Sequence, residues 1–559
     1  MMGGHQTRSQ RRLRTVALYS FVLALAWLVL SPLIRLQAVA FEDGARGYKV
    51  MLAATGIGPM LINTVGLALG SLMIGMVFGT LLAWWASRLP PHLRFLRALP
   101  VLPIVMPAVA VVSGWAFLLS PRPGYLNALL RNLPWWSHLD SGPVEVYSIT
   151  WIIIITGFSL TAFVYLFVSS GMQNINAELI EASRVNGSSA LGSFFRVTLP
   201  LLRPVLLYGG GVTLLLGLGQ FTAPLLLGTN KGVTVLTTHM YYAVAQSPTD
   251  FGTAAAFGTP LLLFGVAVVL LQKFLLGDHS RFVTHGGRGF RVAGKPSSLS
   301  AWCIVIFTFV TTGLPILSLI LLSLSSFWSP RIALGRLTLD NFRQIFKESQ
   351  IVDAIFTSVT VSLTAVLIAL VIGFIVAILL LRGRRHRVAR TLLDIIVAMP
   401  LGVPAVIFGA GFLFAYTRPP LVLYGTSWVL VVVYVTLMLP FTTRMQIAGM
   451  LQLGNSYLEA SRTSGASAFW TDVRITIPLM RSTIGGAAAL MFILLTHEFT
   501  ASMLVRSPTS QVMGTVLFDY WTNGSYPLVA AIALVMTLVT ALGMLAAVLI
   551  GGKEVFNKM

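Results

Sequence analysis

The chain has little charge and even less acid. Charged residues make up 10% of its 559 residues, with Asp and Glu numbering 17 against 38 Lys and Arg, while 56% is hydrophobic. So little charge excludes a soluble domain of ordinary composition. The single cysteine, Cys303, lies in an apolar run, which excludes a disulfide framework or thiolate metal cluster and leaves it as lipid-facing or core filler. No G-x-x-x-x-G-K-S/T sequence occurs, so the chain has no phosphate-cradling loop and is not expected to hydrolyse ATP. His/Glu and Ser/His groupings with catalytic spacing are absent too, which leaves an intramembrane hydrolase poorly supported. No catalytic residue, metal ligand or cofactor is expected.

Long apolar runs are what the chain does have. A helix needs about 20 mostly apolar residues to cross a bilayer, and without water only helices or closed barrels satisfy the backbone. Twelve helices are predicted, near 15–37, 59–87, 98–119, 147–170, 204–227, 252–276, 301–325, 354–381, 394–416, 426–443, 483–505 and 526–551. Proline-containing runs such as 98–119 are expected to bend or break. The first run has a basic flank like a signal peptide, but it is too long and lacks a small-residue cleavage site, so it is read as a membrane helix.

The formal charge of +21 is spread between hydrophobic runs, not gathered in one aromatic-interleaved patch, so no nucleic-acid partner is expected. Arg8, Arg11, Arg12 and Arg14 mark a cytoplasmic start. Alternate loops then carry Arg88/Arg94/Arg97, Arg281/Arg288/Arg291/Lys295 and Arg382/Arg384/Arg385/Arg387/Arg390, as the positive-inside rule requires. Both termini are therefore expected on the cytoplasmic side, with membrane lipid as surroundings.

The chain also repeats itself. Residues 181–204, EASRVNGSSALGSFFRVTLPLLRP, and 459–482, EASRTSGASAFWTDVRITIPLMRS, share 12 of 24 aligned positions at a constant offset of 278. QFTA at Gln220 aligns with EFTA at Glu498 at the same offset, and Pro103/Pro400, Pro107/Pro404 and Gly114/Gly411 align elsewhere. An even number of spans separates the copies, so the repeats are parallel and related by an axis along the membrane normal. The expected division is a first unit over 1–278, a polar Gly/Ser-rich cytoplasmic linker over 279–300 and a second unit over 301–559.

Each repeated loop starts as a helix ending at a glycine suited to the left-handed conformation, Gly187 or Gly465. Ser188 and Ser189, or Ser467, are candidate N-caps for a second short helix, which Pro200 or Pro478 ends. That helix carries Leu191, Phe194 and Phe195 in one copy and Phe469, Trp470 and Val473 in the other. Such aromatics either tuck against the protein's own helices or dock into a groove of a soluble partner.

The pattern Glu181-Ala182, Gly187, Leu199-Pro200, with Glu459-Ala460, Gly465, Ile477-Pro478, resembles the EAA loop of permeases of bacterial ATP-binding-cassette (ABC) importers. Ser183 and Ser461 replace the usual second alanine, and Ser482 stands where the first copy has Pro204. The resemblance implies an all-α polytopic membrane protein of two parallel six-helix permease units of the type I importer fold in the inner membrane. It also implies a separate cytoplasmic ATPase, with two copies on the two loops, and a periplasmic or lipid-anchored binding protein.

Within the apolar runs, Gln220, Phe221, His497, Glu498 and Phe499 are candidate pathway or gate residues, because polar groups in lipid are costly and usually face a cavity or a partner. The alternative for His497 and Glu498 is a helix end wetted at the interface. Phe221, Pro224, Leu227, Gly228, Thr238 and Tyr242 resemble the pattern of fused iron(III) importer permeases, which implies iron(III) as cargo, with thiamine, polyamine and aminoethylphosphonate as alternatives. An ion-coupled secondary transporter of two six-helix halves would explain the repeat but not the paired loops.

Overall fold

In a computed structural model of the chain, residues 8–173, 175–276, 297–331, 335, 337–382, 386–453 and 456–551 are described. Most of the expected 279–300 linker lies outside the described residues, which resume at 297.

Among the described residues, eight helices are long and apolar enough to cross a membrane, and four bent pairs raise the number of candidate spans to 12. The twelve principal helices are α1 Arg8–Ala53, α2 Ile57–Ser87, α3 Ala108–Leu119, α4 Ile149–Gln173, α5 Arg203–Leu218 and α6 Phe251–Leu276, then α7 Ser298–Ser323, α8 Ser349–Arg382, α9 Ala405–Tyr416, α10 Ser427–Leu453, α11 Arg481–Thr496 and α12 Tyr526–Gly551.

Two of the bends have the proline origin anticipated above. Met106 and Val403 precede Pro107 and Pro404, and both adopt extended backbone, because a proline ring disfavours the helical region for the residue before it. The segments Pro91–Val105 and Arg387–Gly402 therefore meet α3 and α9 at 92° and 110°. The other two bends, of 72° and 71°, join the repeated loops to α5 and α11.

Two expected spans end early. The predicted 204–227 helix stops at Leu218, and a π-turn at Pro224–Gly228 and a separate helix, Leu236–Ala245, follow. The predicted 483–505 helix breaks between Thr496 and Thr500. Irregular backbone at membrane depth is tolerated where protein covers it, and Phe221 and Leu225–Leu227 are all buried.

The two halves exchange their first helices. α1 packs on α6 of its own half and on α9 of the other, and α7 packs on α12 and on α3. Small residues let these backbones approach, as between membrane helices generally. A Cβ added at Gly411 would lie 2.6 Å from the Pro32 carbonyl of α1, and one at Gly114 2.8 Å from the Pro315 carbonyl of α7. The aligned glycines thus mark the same crossing in each half.

Candidate coupling loops and pathway

The loop around Gly187 begins with helix Ala177–Val185, capped by Asn176, whose side chain accepts from the Glu178 N–H. Gly187 and Gly465 both take φ +84°, where a side chain is strained even though an added Cβ would meet nothing within 4 Å. Ser189 and Ser467 then cap the second helix, accepting from the N–H groups of Gly192 at 3.0 Å and Trp470 at 3.4 Å. Both copies widen into a π-turn, Phe194–Thr198 and Asp472–Thr476, just before Pro200 and Pro478, whose rings cannot donate and crowd the preceding turn.

The serines in place of alanine have a structural use. Ser183 Oγ lies 3.1 Å from Ser193 Oγ, and Ser461 Oγ lies 2.8 Å from Thr471 Oγ1, so each hydroxyl pair ties the two short helices across the glycine turn. Substituting Ala at Gly187 or Gly465 is expected to cost about 1–2 kcal/mol through the left-handed backbone alone, with no steric term. Hydrogen exchange confined to the affected loop is the measurement, and protection equal to wild type would refute it.

The expected solvent-facing aromatic set divides. Leu191 and Phe195 are exposed, as are Phe469, Trp470 and Val473, with the Arg474 guanidinium 4.5 Å above the Trp470 ring. Glu181, Ala182, Glu459 and Ala460 are also exposed. Phe194, expected among the docking residues, is instead 4% exposed, its ring 5.3 Å from Trp84 at the end of α2. Its counterpart is Asp472, buried and bound to Arg382 at the end of α8 at 2.9 and 3.0 Å, with Thr476 Oγ1 donating at 3.0 Å. Equivalent helices thus hold the two loops, one by a tilted ring contact and the other by charge. The sequence reading missed Asp472, although it is the only acid in AFWTDVRIT.

Among the pathway candidates, the two phenylalanines meet. Phe221 and Phe499 lie 5.6 Å apart where the halves join; Phe221 also contacts Tyr241 at 5.7 Å, Phe499 contacts Phe518 at 6.0 Å, and Tyr241 and Phe518 are 6.3 Å apart. The four rings, all buried, form a closed quartet with two members from each half. Tyr241 and Phe518 were missed. Each follows a matching cap in which Thr238 or Thr515 accepts from the N–H of Val235 or Val512.

The polar candidates have partners elsewhere in the fold. Glu498 accepts from the Ala501 and Ser502 N–H groups and the Ser502 hydroxyl at 2.6–2.9 Å, capping the short helix after it. His497 Nε2 lies 2.8 Å from Thr540 Oγ1 on α12. Gln220 accepts from its neighbour's N–H through Oε1 and from Thr237 through its carbonyl.

The family "Binding-protein-dependent transport system inner membrane component" matches residues 66–277 and 369–553. The ferric transport system permease protein FbpB of Actinobacillus pleuropneumoniae is 25% identical over 552 residues, covering 94% of this chain and 76% of that one. The sulfate transport system permease protein CysW of a Synechocystis species is 30% identical, covering 44% of this chain and 88% of that one. A chain of a bacterial alginate ABC transporter, solved with an alginate-bound periplasmic protein, aligns at a TM-score of 0.41 and 22% identity, over 50% of this chain and 100% of that one. The chain therefore belongs to the inner membrane components of binding-protein-dependent transport systems, and it carries the family unit twice.

Proposed function

We propose that the chain is the fused permease of an iron(III) ABC importer, with loops 181–204 and 459–482 each receiving one copy of a separate cytoplasmic ATPase. The observation that carries this reading is the pair of exposed apolar contacts, Leu191/Phe195 and Phe469/Val473, at equivalent places on two capped, tethered loops, with exposed Trp470 beside the second pair. Units 1–278 and 301–559, joined through 279–300, enclose one pathway, with both termini cytoplasmic and a periplasmic or lipid-anchored binding protein at the opposite face. ATP hydrolysis belongs to the partner.

Co-purification with the cognate ABC ATPase tests the docking. Buried apolar anchors in an interface contribute about 2 kcal/mol each, so Phe195→Asp with Trp470→Asp is expected to weaken binding roughly a thousandfold. Full binding by the double variant would remove the docking reading. Iron(III) rests on the likeness to ferric permeases over nearly the whole chain. Uptake in proteoliposomes with the cognate binding protein decides it, and transport of thiamine, a polyamine or aminoethylphosphonate instead would overturn it.

A further inference from the structure

The crossing of α1 over α9 carries Arg418 beyond α9 and, on α1 itself, Arg35, a cation that the α7 side of the counterpart crossing lacks. A cavity of about 660 Å³ opens there, lined by Leu23, Trp27, Leu30 and Ile34 of α1, with Arg35 and Arg418 also in its wall. Leu23, Trp27 and Ile34 are exposed. Aligning the crossing prolines Pro32 and Pro315 places Ser318 opposite Arg35, whereas the Pro404/Pro107 register places Pro121, with Arg122 beside it, opposite Arg418. Ser318 is buried and donates to the Gly114 carbonyl at 2.9 Å, which seals the crossing in the other half. The fold therefore does not require a cation at the Arg35 position, and a charge inside a membrane segment is expensive unless it is used.

The two guanidinium groups share one carboxylate. Arg35 lies 3.1 Å from Glu42 and Arg418 3.8 Å from the same carboxyl oxygen, at the point where α1 turns through left-handed Asp43, Gly44 and Ala45. With Glu42 shared between them, Arg35 and Arg418 carry one net positive charge, and Asp43, Arg46 and Lys49 in the adjoining turn add one more of the same sign. They lie at the end of the molecule away from the repeated loops. From Leu23 to Arg35 the helix rises about 18 Å, close to the roughly 15 Å of half a hydrocarbon core.

We propose that this groove is a binding site for an anionic phospholipid of the leaflet opposite the loops, its phosphate held by Arg35 and Arg418 and one acyl chain laid along Leu23, Trp27, Leu30 and Ile34. An apolar trough one leaflet long with a positive end matches that ligand in both length and charge. The site also spans α1 of one half and α9 of the other, so an occupant bridges the crossing.

Trp27 in the wall provides the readout. In nanodiscs, the fluorescence difference between wild type and Trp27→Phe isolates this indole, and brominated phosphatidylglycerol is compared with brominated phosphatidylcholine at equal mole fraction. One net positive charge should give about a fivefold preference for phosphatidylglycerol. Arg35→Gln with Arg418→Gln should remove it, and excess inorganic phosphate should leave it intact. Equal quenching by both lipids, a preference that survives the double substitution, or its loss to free phosphate would each overturn the proposal. Arg418→Gln alone, at an exposed position beyond α9, is the control if the double variant does not assemble, and an unchanged preference there also overturns it.

Discussion

Reversing either charge of the Arg382–Asp472 pair is expected to uncouple transport from ATP hydrolysis, and reversing both to restore it. The side chains are 26% and 12% exposed, and one guanidinium nitrogen bonds both carboxylate oxygens. An exposed ion pair would contribute well under 1 kcal/mol, whereas a buried charge stripped of its partner costs about 3 kcal/mol. In Arg382→Glu two carboxylates face each other, and the second loop separates from α8. ATP hydrolysis should persist, because Phe469 and Trp470 face outward, while substrate moved per ATP falls severalfold. Arg382→Asp with Asp472→Arg rebuilds the pair and should recover most of the ratio. Normal ratios in the single variants, or no recovery in the swap, would show that the pair is not the link.

That asymmetry shows what a sequence can and cannot reveal here. Gly187, Gly465, Ser189 and Ser467 are legible because their roles are local: each is fixed by backbone geometry within a few residues. The inward turn of Phe194 and the tether on Asp472 depend on Trp84 and Arg382, far away in the chain, and the repeat pairs a phenylalanine with an aspartate, which hides their common task. The bends at Pro107 and Pro404 were legible as breaks, but their angles were not. Residues 219–227 read as a continuing span because hydropathy reports apolarity, which lipid and a protein interior reward alike. The meeting of Phe221 and Phe499 follows from the QFTA/EFTA repeat. Tyr241 and Phe518 stand at an offset one residue different, 277 against 278, so a search at constant spacing passes over them.

The aromatic quartet yields the last large effect. Four buried rings from two halves, with neighbouring centroids 5.6–6.3 Å apart, pack together where the repeats meet. If the pathway runs along the axis relating the halves, these rings close it, and opening requires the pairs to separate as the halves move. Phe221→Ala with Phe499→Ala removes the two central rings, so proteoliposomes should leak small solutes without ATP and lose the dependence of flux on the binding protein. Each truncation also removes a fully buried ring, at about 3 kcal/mol or more, so a lower melting temperature is expected alongside the leak. Phe221→Leu with Phe499→Leu separates the two effects. Leucine keeps most of the packing while giving up the flat ring, so stability should be largely retained while tightness is lost in part. A folded alanine variant as tight as wild type would mean that the seal lies elsewhere. Leakage from the leucine pair equal to the alanine pair would mean that ring shape, more than filled volume, holds the path shut.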